Sequence, residues 1–188
     1  HYKDQVMNKP IAVLIFLFTS ISSYAQIGQV FPLIEGENLK NEFITIPSDT
    51  KGKHTLIGLA YSKKAEDDLK TWFSPTYNQF LREPDPNNIF QFDYDINLYF
   101  IPMFTGAKRP AYQRTMKKIK KTIDNRLEPY ILFYKGNLKD YEEALGFDGK
   151  DVPYFFLLNE DGEITYTTYG RYSDKKMQEI IDQVPFAD

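Results

Sequence analysis

Chemistry in this chain must come from a short inventory, because the 188 residues include no cysteine and two histidines, His1 and His54. Thiolate nucleophiles, disulfides and zinc sites built from nitrogen and sulfur are therefore excluded by composition. The catalytic and metal-ligating sets read from the sequence are empty, and no cofactor is expected. The run Asn159-Glu160-Asp161-Gly162 has the composition of a calcium loop, but Leu157 and Thr168 stand where an EF-hand needs an acid and its closing glutamate. No glycine-rich phosphate cradle and no serine nucleophile motif occur. His54, beside Lys53, reads as a surface residue at a strand entrance. What is left is Ser62-Lys63-Lys64 at a strand-to-helix passage, Val152-Pro153 at a corner before a second strand, and a basic helix with Lys117, Lys118, Lys120 and Lys121 beside Arg114 and Arg126.

The elements that must position these residues follow from periodicity. Thr55 to Tyr61 is a continuous apolar run, as in a strand covered on both faces. Ser62 is a candidate N-cap for the helix after it, with Glu66, Asp67 and Asp68 expected in the first turn and Ala65, Leu69, Trp72, Phe73, Tyr77, Phe80 and Leu81 on one face. Pro75 should kink that helix. Phe90, Phe92, Tyr94, Ile96 and Leu98 alternate with polar residues, predicting a strand that continues to about Phe104. A second helical stripe runs through Tyr112, Met116, Ile119, Ile123 and Leu127. Tyr130 to Tyr134 reads as a short strand and Leu138 to Leu145 as a short helix. Tyr154 to Leu158 and Ile164 to Tyr169 form a hairpin around an Asp-Gly turn, and Ser173 caps a last helix. Ahead of all this, Gln26 to Pro47 reads as a lead-in of short extended pieces, clearest at Phe43 to Ile46 and broken by Pro32, Gly36 and Pro47. Trp72 and the tyrosines have the periodicity of core residues rather than of a pocket lining.

The N-terminus reads as an address. Met7, Lys9, the apolar run Ile11 to Phe18 and Ser23-Tyr24-Ala25 have the layout of a secretory signal peptide, too short to span a bilayer comfortably. The expected organisation is upstream residues 1–6, signal peptide 7–25, and one domain over 26–188 beginning at Gln26, in the periplasm or secreted. Without residues 1–25, which hold Lys3, Lys9 and Asp4, the chain carries 21 basic and 25 acidic residues, a net charge of −4, which gives no general attraction to nucleic acid. About 160 residues suit one core.

Strands alternating with helices and closed by a hairpin and helix indicate an α/β sandwich with a mixed central sheet. Tyr130-Ile131-Leu132-Phe133, then Tyr141 to Phe147, then Val152-Pro153 and Phe156 to Ile164 resemble the pattern of the thioredoxin-like superfamily, in its peroxidase and disulfide-reductase branch. The resemblance extends over roughly residues 31–184. It implies a cis Val152-Pro153 bond and a redox centre at Tyr61 to Asp68, where both cysteines are missing; thiol oxidoreductase and peroxidase activity are therefore not expected. A lesser similarity, carried by Trp72, Pro75, Gly162-Glu163-Ile164 and Gly170, is to the assembly-factor family of the mitochondrial ATP synthase. In the superfamily the backbone beside the proline pairs with extended peptide, which needs no thiol. The expected site is then a peptide groove rimmed by Ser62, Lys63, Lys64, Val152 and Pro153, serving a binding protein, chaperone or assembly factor whose partner is an unidentified protein or peptide. The alternatives are a non-thiol enzyme using carboxylates and lysines in that cleft, a membrane-surface module using the basic helix, and a simple cap at Ser62 with a simple turn at Pro153.

Overall fold

Adjacent residues of the innermost strands belong to different cores, and this sets the layering. In the computed structural model, which describes residues 26–83 and 93–187, Leu56, Phe155 and Leu157 pack into one cluster while their neighbours Ile57, Phe156 and Leu158 pack into another. Side chains alternate across a strand, so a strand with every residue apolar must be covered on both faces.

The sheet has seven strands: β1 (Ile34–Asn38), β2 (Phe43–Ile46), β3 (His54–Ala60), β4 (Ile96–Thr105), β5 (Leu132–Gly136), β6 (Tyr154–Leu158) and β7 (Ile164–Tyr169), in the spatial order β2-β1-β5-β4-β3-β6-β7. β3 runs parallel to β4 and antiparallel to β6, and β4 runs parallel to β5. The sheet is thus mixed, as its sequence pattern predicted. Pro102 sits within β4 opposite Ala60, the last residue of β3. A proline there costs a donor only where that ladder ends.

One face is covered by α1 (Lys63–Leu69), α2 (Phe73–Phe80), α3 (Tyr112–Thr122) and α5 (Asp174–Ile181), which contribute Leu69, Phe80, Met116 and Ile180 to the first core, with Trp72 from the turn between α1 and α2. The other is covered by α4 (Lys139–Leu145) and the lead-in segment, through Tyr141, Leu145 and Phe31. Trp72 is fully buried, stacks on Phe155 with ring centroids 4.1 Å apart, and donates its indole N–H to the Gly170 carbonyl at 2.9 Å. It is a core residue, as its periodicity indicated.

Several boundaries differ from expectation for local reasons. Gly36 does not break the lead-in but lies inside β1; a Cβ there would come within 2.8 Å of the Leu132 Cβ, so its absence lets β1 close on β5. The helix after β3 is interrupted by a 3₁₀ turn over Lys70–Trp72, before Pro75 rather than at it. A proline removes the hydrogen bond to the carbonyl four residues back and crowds that turn, so the distortion falls upstream. With Ser62 as cap, only Glu66 lies in the first turn; Asp67 and Asp68 fall beyond it and form ion pairs instead. α3 ends at Thr122 and β5 starts two residues late, because Glu128–Tyr130 forms a 3₁₀ turn around Pro129. The expected strand start at Phe90 and Phe92 and the signal segment 7–25 lie outside the described residues; the observed strand begins at Ile96.

Candidate functional site

Ser62 accepts a hydrogen bond from the Ala65 amide at 3.0 Å, with the extended backbone of an N-cap, and this starts α1 directly after β3. The next two residues diverge along the helix. Lys63 pairs with Asp67 at 2.8 Å on the exposed side, whereas Lys64 reaches Asp68 at 3.2 Å and the Asp151 carbonyl at 3.5 Å. That last contact is long for a hydrogen bond. It nevertheless carries α1 across to the Val152-Pro153 corner, 87 residues away in sequence.

Asp68 anchors the junction. Its side chain is only 8% exposed and also accepts from Arg171 at 2.8 Å, tying α1 to the segment after β7. Burial alone would raise its pKa; the hydrogen bonds from Lys64 and Arg171 outweigh that and hold the carboxyl below the usual aspartate value.

At the corner itself Pro153 is buried and Val152 half-buried. The peptide bond between them is trans, so the expected cis geometry is not present; among the described residues the cis bond is Ile46–Pro47. Trans is the preferred X-Pro form by about 0.5–1 kcal/mol. In this chain the Pro153 carbonyl is held by the Gly170 amide at 2.8 Å as β6 enters its ladder with β7. The Val152 amide and carbonyl make no hydrogen bond among the described residues. Three aromatic rings back the corner: Phe147 stacks between Tyr61, at 5.3 Å, and Tyr154, at 4.5 Å. Both tyrosine hydroxyls donate to the Gly149 carbonyl, at 2.9 and 2.8 Å, fastening the loop that precedes Val152. Burial pushes the pKa of both phenols up, so they stay neutral donors.

Beside this corner opens a cavity of about 630 Å³ between α1, α2, α3 and the end of β4. Of the five expected groove residues only Lys63 lines it; Ser62, Lys64, Val152 and Pro153 do not. Lys108 lines it as well and donates to the Tyr61 carbonyl at 2.8 Å, just where β3 passes into α1. Glu66 completes that wall, and burial raises its pKa although Lys108, Lys63 and Lys70 pull the other way. Sequence reasoning missed Glu66, Lys108, Asp68 and the Tyr61-Phe147-Tyr154 stack as site features. In the sequence only the acid-rich start of α1 carries any signal for them, and its spacing is equally that of acids in a first helical turn.

The remaining candidates have structural roles or stand apart. Asn159 accepts from the amides of Asp161 and Glu163 at 3.0 and 2.9 Å, so its side-chain oxygen is occupied in closing the turn. His54 is half-buried rather than at the surface, and its Nδ1 has no hydrogen-bond partner. In the basic helix Lys120 donates to the Leu39 carbonyl at 2.8 Å and Lys118 lines the cavity. Among the described residues no cluster of histidine and acids has the arrangement of a metal site. None of the described helices is long and apolar enough to cross a membrane.

No family model and no curated protein matches this sequence. Solved structures do. A protein assigned as the thiol:disulfide interchange protein DsbE from Chlorobium tepidum superposes with a TM-score of 0.55 at 12% identity, covering 83% of this chain and 96% of that one. The C-terminal domain of a protein assigned as a thiol-disulfide oxidoreductase from Bacteroides thetaiotaomicron gives 0.51 at 16% identity, with 84% and 95% covered. A 2-Cys peroxiredoxin from Plasmodium vivax gives 0.51 at 14% identity, with 84% and 94% covered. The chain therefore has the thioredoxin-like fold. Its neighbours in that fold are named for thiol chemistry, and it has no cysteine with which to perform it.

Proposed function

We propose that this chain is an exported, redox-inactive thioredoxin-like protein that binds an extended segment of a partner at the corner between Ser62–Lys64 and Val152–Pro153, and so acts as a chaperone or assembly factor. The observation that carries this reading is the half-buried Val152 with neither backbone group hydrogen-bonded to another described residue, beside a lysine-clamped helix start. Backbone groups that bond to no other part of the chain are available to a partner, and an extended peptide supplies the acceptor and donor through strand addition. The trans bond changes the direction in which these groups project from what the superfamily resemblance implied, but leaves them free. Export rests on the layout of residues 7–25.

The test is peptide selection against the full chain, followed by amide hydrogen exchange at Val152 with a selected peptide bound. Protection of that amide, and loss of binding in Val152→Pro, which deletes the donor, are expected. Selected peptides that bind Val152→Pro as tightly as the wild type would overturn the reading. Turnover of dithiols or hydroperoxides by the purified chain would overturn its redox-inactive part, and an unprocessed N-terminus on protein recovered from the native host would overturn export.

A second reading, acid–base catalysis in the adjoining cleft, is favoured by the raised pKa of Glu66 among three lysines. It would be abandoned if Glu66→Gln changed no reaction found by substrate screening.

A further inference from the structure

The cavity beside the corner is lined by two kinds of surface. Its floor is apolar, built from Leu69, Phe73, Phe104, Ile119 and Leu127, and its wall carries Lys63, Lys70, Lys108 and Lys118 against two acids, Glu66 and Asp124. These charges are not equally available. Lys63 and Lys70 share Asp67, at 2.8 and 3.2 Å, and Asp124 is engaged by Arg126 at 2.6 Å. Lys108 donates to the neutral Tyr61 carbonyl and also acts on the Glu66 carboxylate, whereas the Lys118 ammonium makes no hydrogen bond or ion pair among the described residues. The lining's four lysines thus outnumber its two acids, and Lys118 is the lysine with no acid engaged to it among the described residues.

The volume, about 630 Å³, lies inside the range of about 300–1,000 Å³ typical of small-molecule sites. The lining backbone belongs mostly to helices and to the last residues of β4, where amides and carbonyls are largely used within the elements. Strand addition is therefore not available here, unlike at Val152, and selection falls to side chains alone: apolar burial below and positive charge at the wall. An alkyl chain ending in a carboxylate satisfies both. A peptide would have to place unpaired backbone groups against the apolar floor, at a cost of about 1–3 kcal/mol each.

We propose that this cavity is a binding site for a medium-chain carboxylate, its alkyl part on the Leu69–Phe73–Ile119 floor and its anionic head on the lysine-rich wall, at Lys118. The site is separate from the peptide corner, and neither requires the other.

Calorimetric titration of the full chain with decanoate, acetate and decyltrimethylammonium tests it. Decanoate should bind saturably with one molecule per chain. Acetate, lacking the apolar part, and the cation, meeting like charge, should each bind at least about tenfold more weakly. Lys118→Gln, on the exposed side of α3, should weaken decanoate by roughly three- to fivefold, the size of one partly exposed ion pair. Ile119→Trp, which fills the floor, should abolish binding while circular dichroism shows the fold retained; should that variant not fold, the Lys118→Gln result and the cation comparison stand alone. Equal affinity for the decyl cation, no saturation below the micelle-forming concentration, or decanoate affinity unchanged in Lys118→Gln would overturn the assignment.

Discussion

Two acids on one short helix, two residues apart, have opposite electrostatic fates. Asp68 lies below the ordinary aspartate value because Lys64 and Arg171 bond its ionised form more strongly than burial disfavours it. Its contribution to stability is fully present above the unfolded value of about 3.9 and disappears as pH falls through the lower folded value. Thermal unfolding followed from pH 6 to pH 2 should therefore show a declining midpoint in the acid range, and Asp68→Asn should make that decline shallower while lowering the midpoint at neutral pH. An unchanged acid profile would show that the pairing has no net effect. Glu66 behaves in the reverse sense: burial raises its pKa, so its ionised form opposes folding at neutral pH. Glu66→Gln should raise the midpoint at pH 7, and the gain should vanish below the ordinary glutamate value of about 4.3, where the unfolded-state carboxyl also takes its proton. A loss of stability in Glu66→Gln at pH 7 would mean that the lysines around it outweigh its burial. Ser62→Ala, which removes the cap on the Ala65 amide, should cost about 1 kcal/mol in denaturant unfolding.

Between elements, α1 packs tightly on the sheet where Gly58 leaves room for the Leu69 side chain. A Cβ at this position would lie 2.7 Å from a Phe155 ring carbon and 2.8 Å from a Leu69 methyl. Gly58→Ala should destabilise the chain by about 1–3 kcal/mol through overpacking, measured by denaturant midpoint, and it should displace α1 from the Val152 corner; a neutral effect would mean that α1 can lift at no cost. What the sequence revealed about these elements divides along range of interaction. The hairpin at Tyr154 to Tyr169, both serine caps and the core face through Trp72 rest on spacings of two to four residues; the hairpin and caps are observed where expected, and the face is too except at Tyr77, which lies outside the core cluster beside the Tyr130 ring. The Asp68–Arg171 pair, the Lys64–Asp151 contact and the Lys108–Tyr61 contact connect residues 103, 87 and 47 positions apart. No periodicity encodes such pairs; they exist only once the sheet has set its strand order. Gly36 shows the same limit in reverse, since a residue that looked like a breaker locally is required for β1 to approach β5.

At the scale of the whole molecule, one sheet separates two cores, and each of the strands β3 and β6 contributes to both. Neither core can be lost while the other persists, because the residues alternating along β3 and β6 need a covering layer on each side, and uncovering one face would expose several fully buried large apolar side chains. Unfolding should then be a single transition. Trp72, the chain's one tryptophan, reports the core beneath α1 and α2, whereas Tyr141 and Tyr154 lie in the core beneath α4. Tryptophan fluorescence and far-ultraviolet dichroism should give the same urea midpoint. Leu145→Ala, a deletion in the α4 core far from the indole, should lower that midpoint in both probes together by about 2–5 kcal/mol of unfolding free energy. Were the Trp72 transition to stay fixed while dichroism shifted, the two cores would be independent, and a partner or ligand bound on the α1–α3 face could not stabilise the α4 face. Coincident shifts would instead mean that occupying the Val152 corner or the adjoining cavity stabilises the entire chain, by RT ln(1 + L/Kd) at free ligand concentration L.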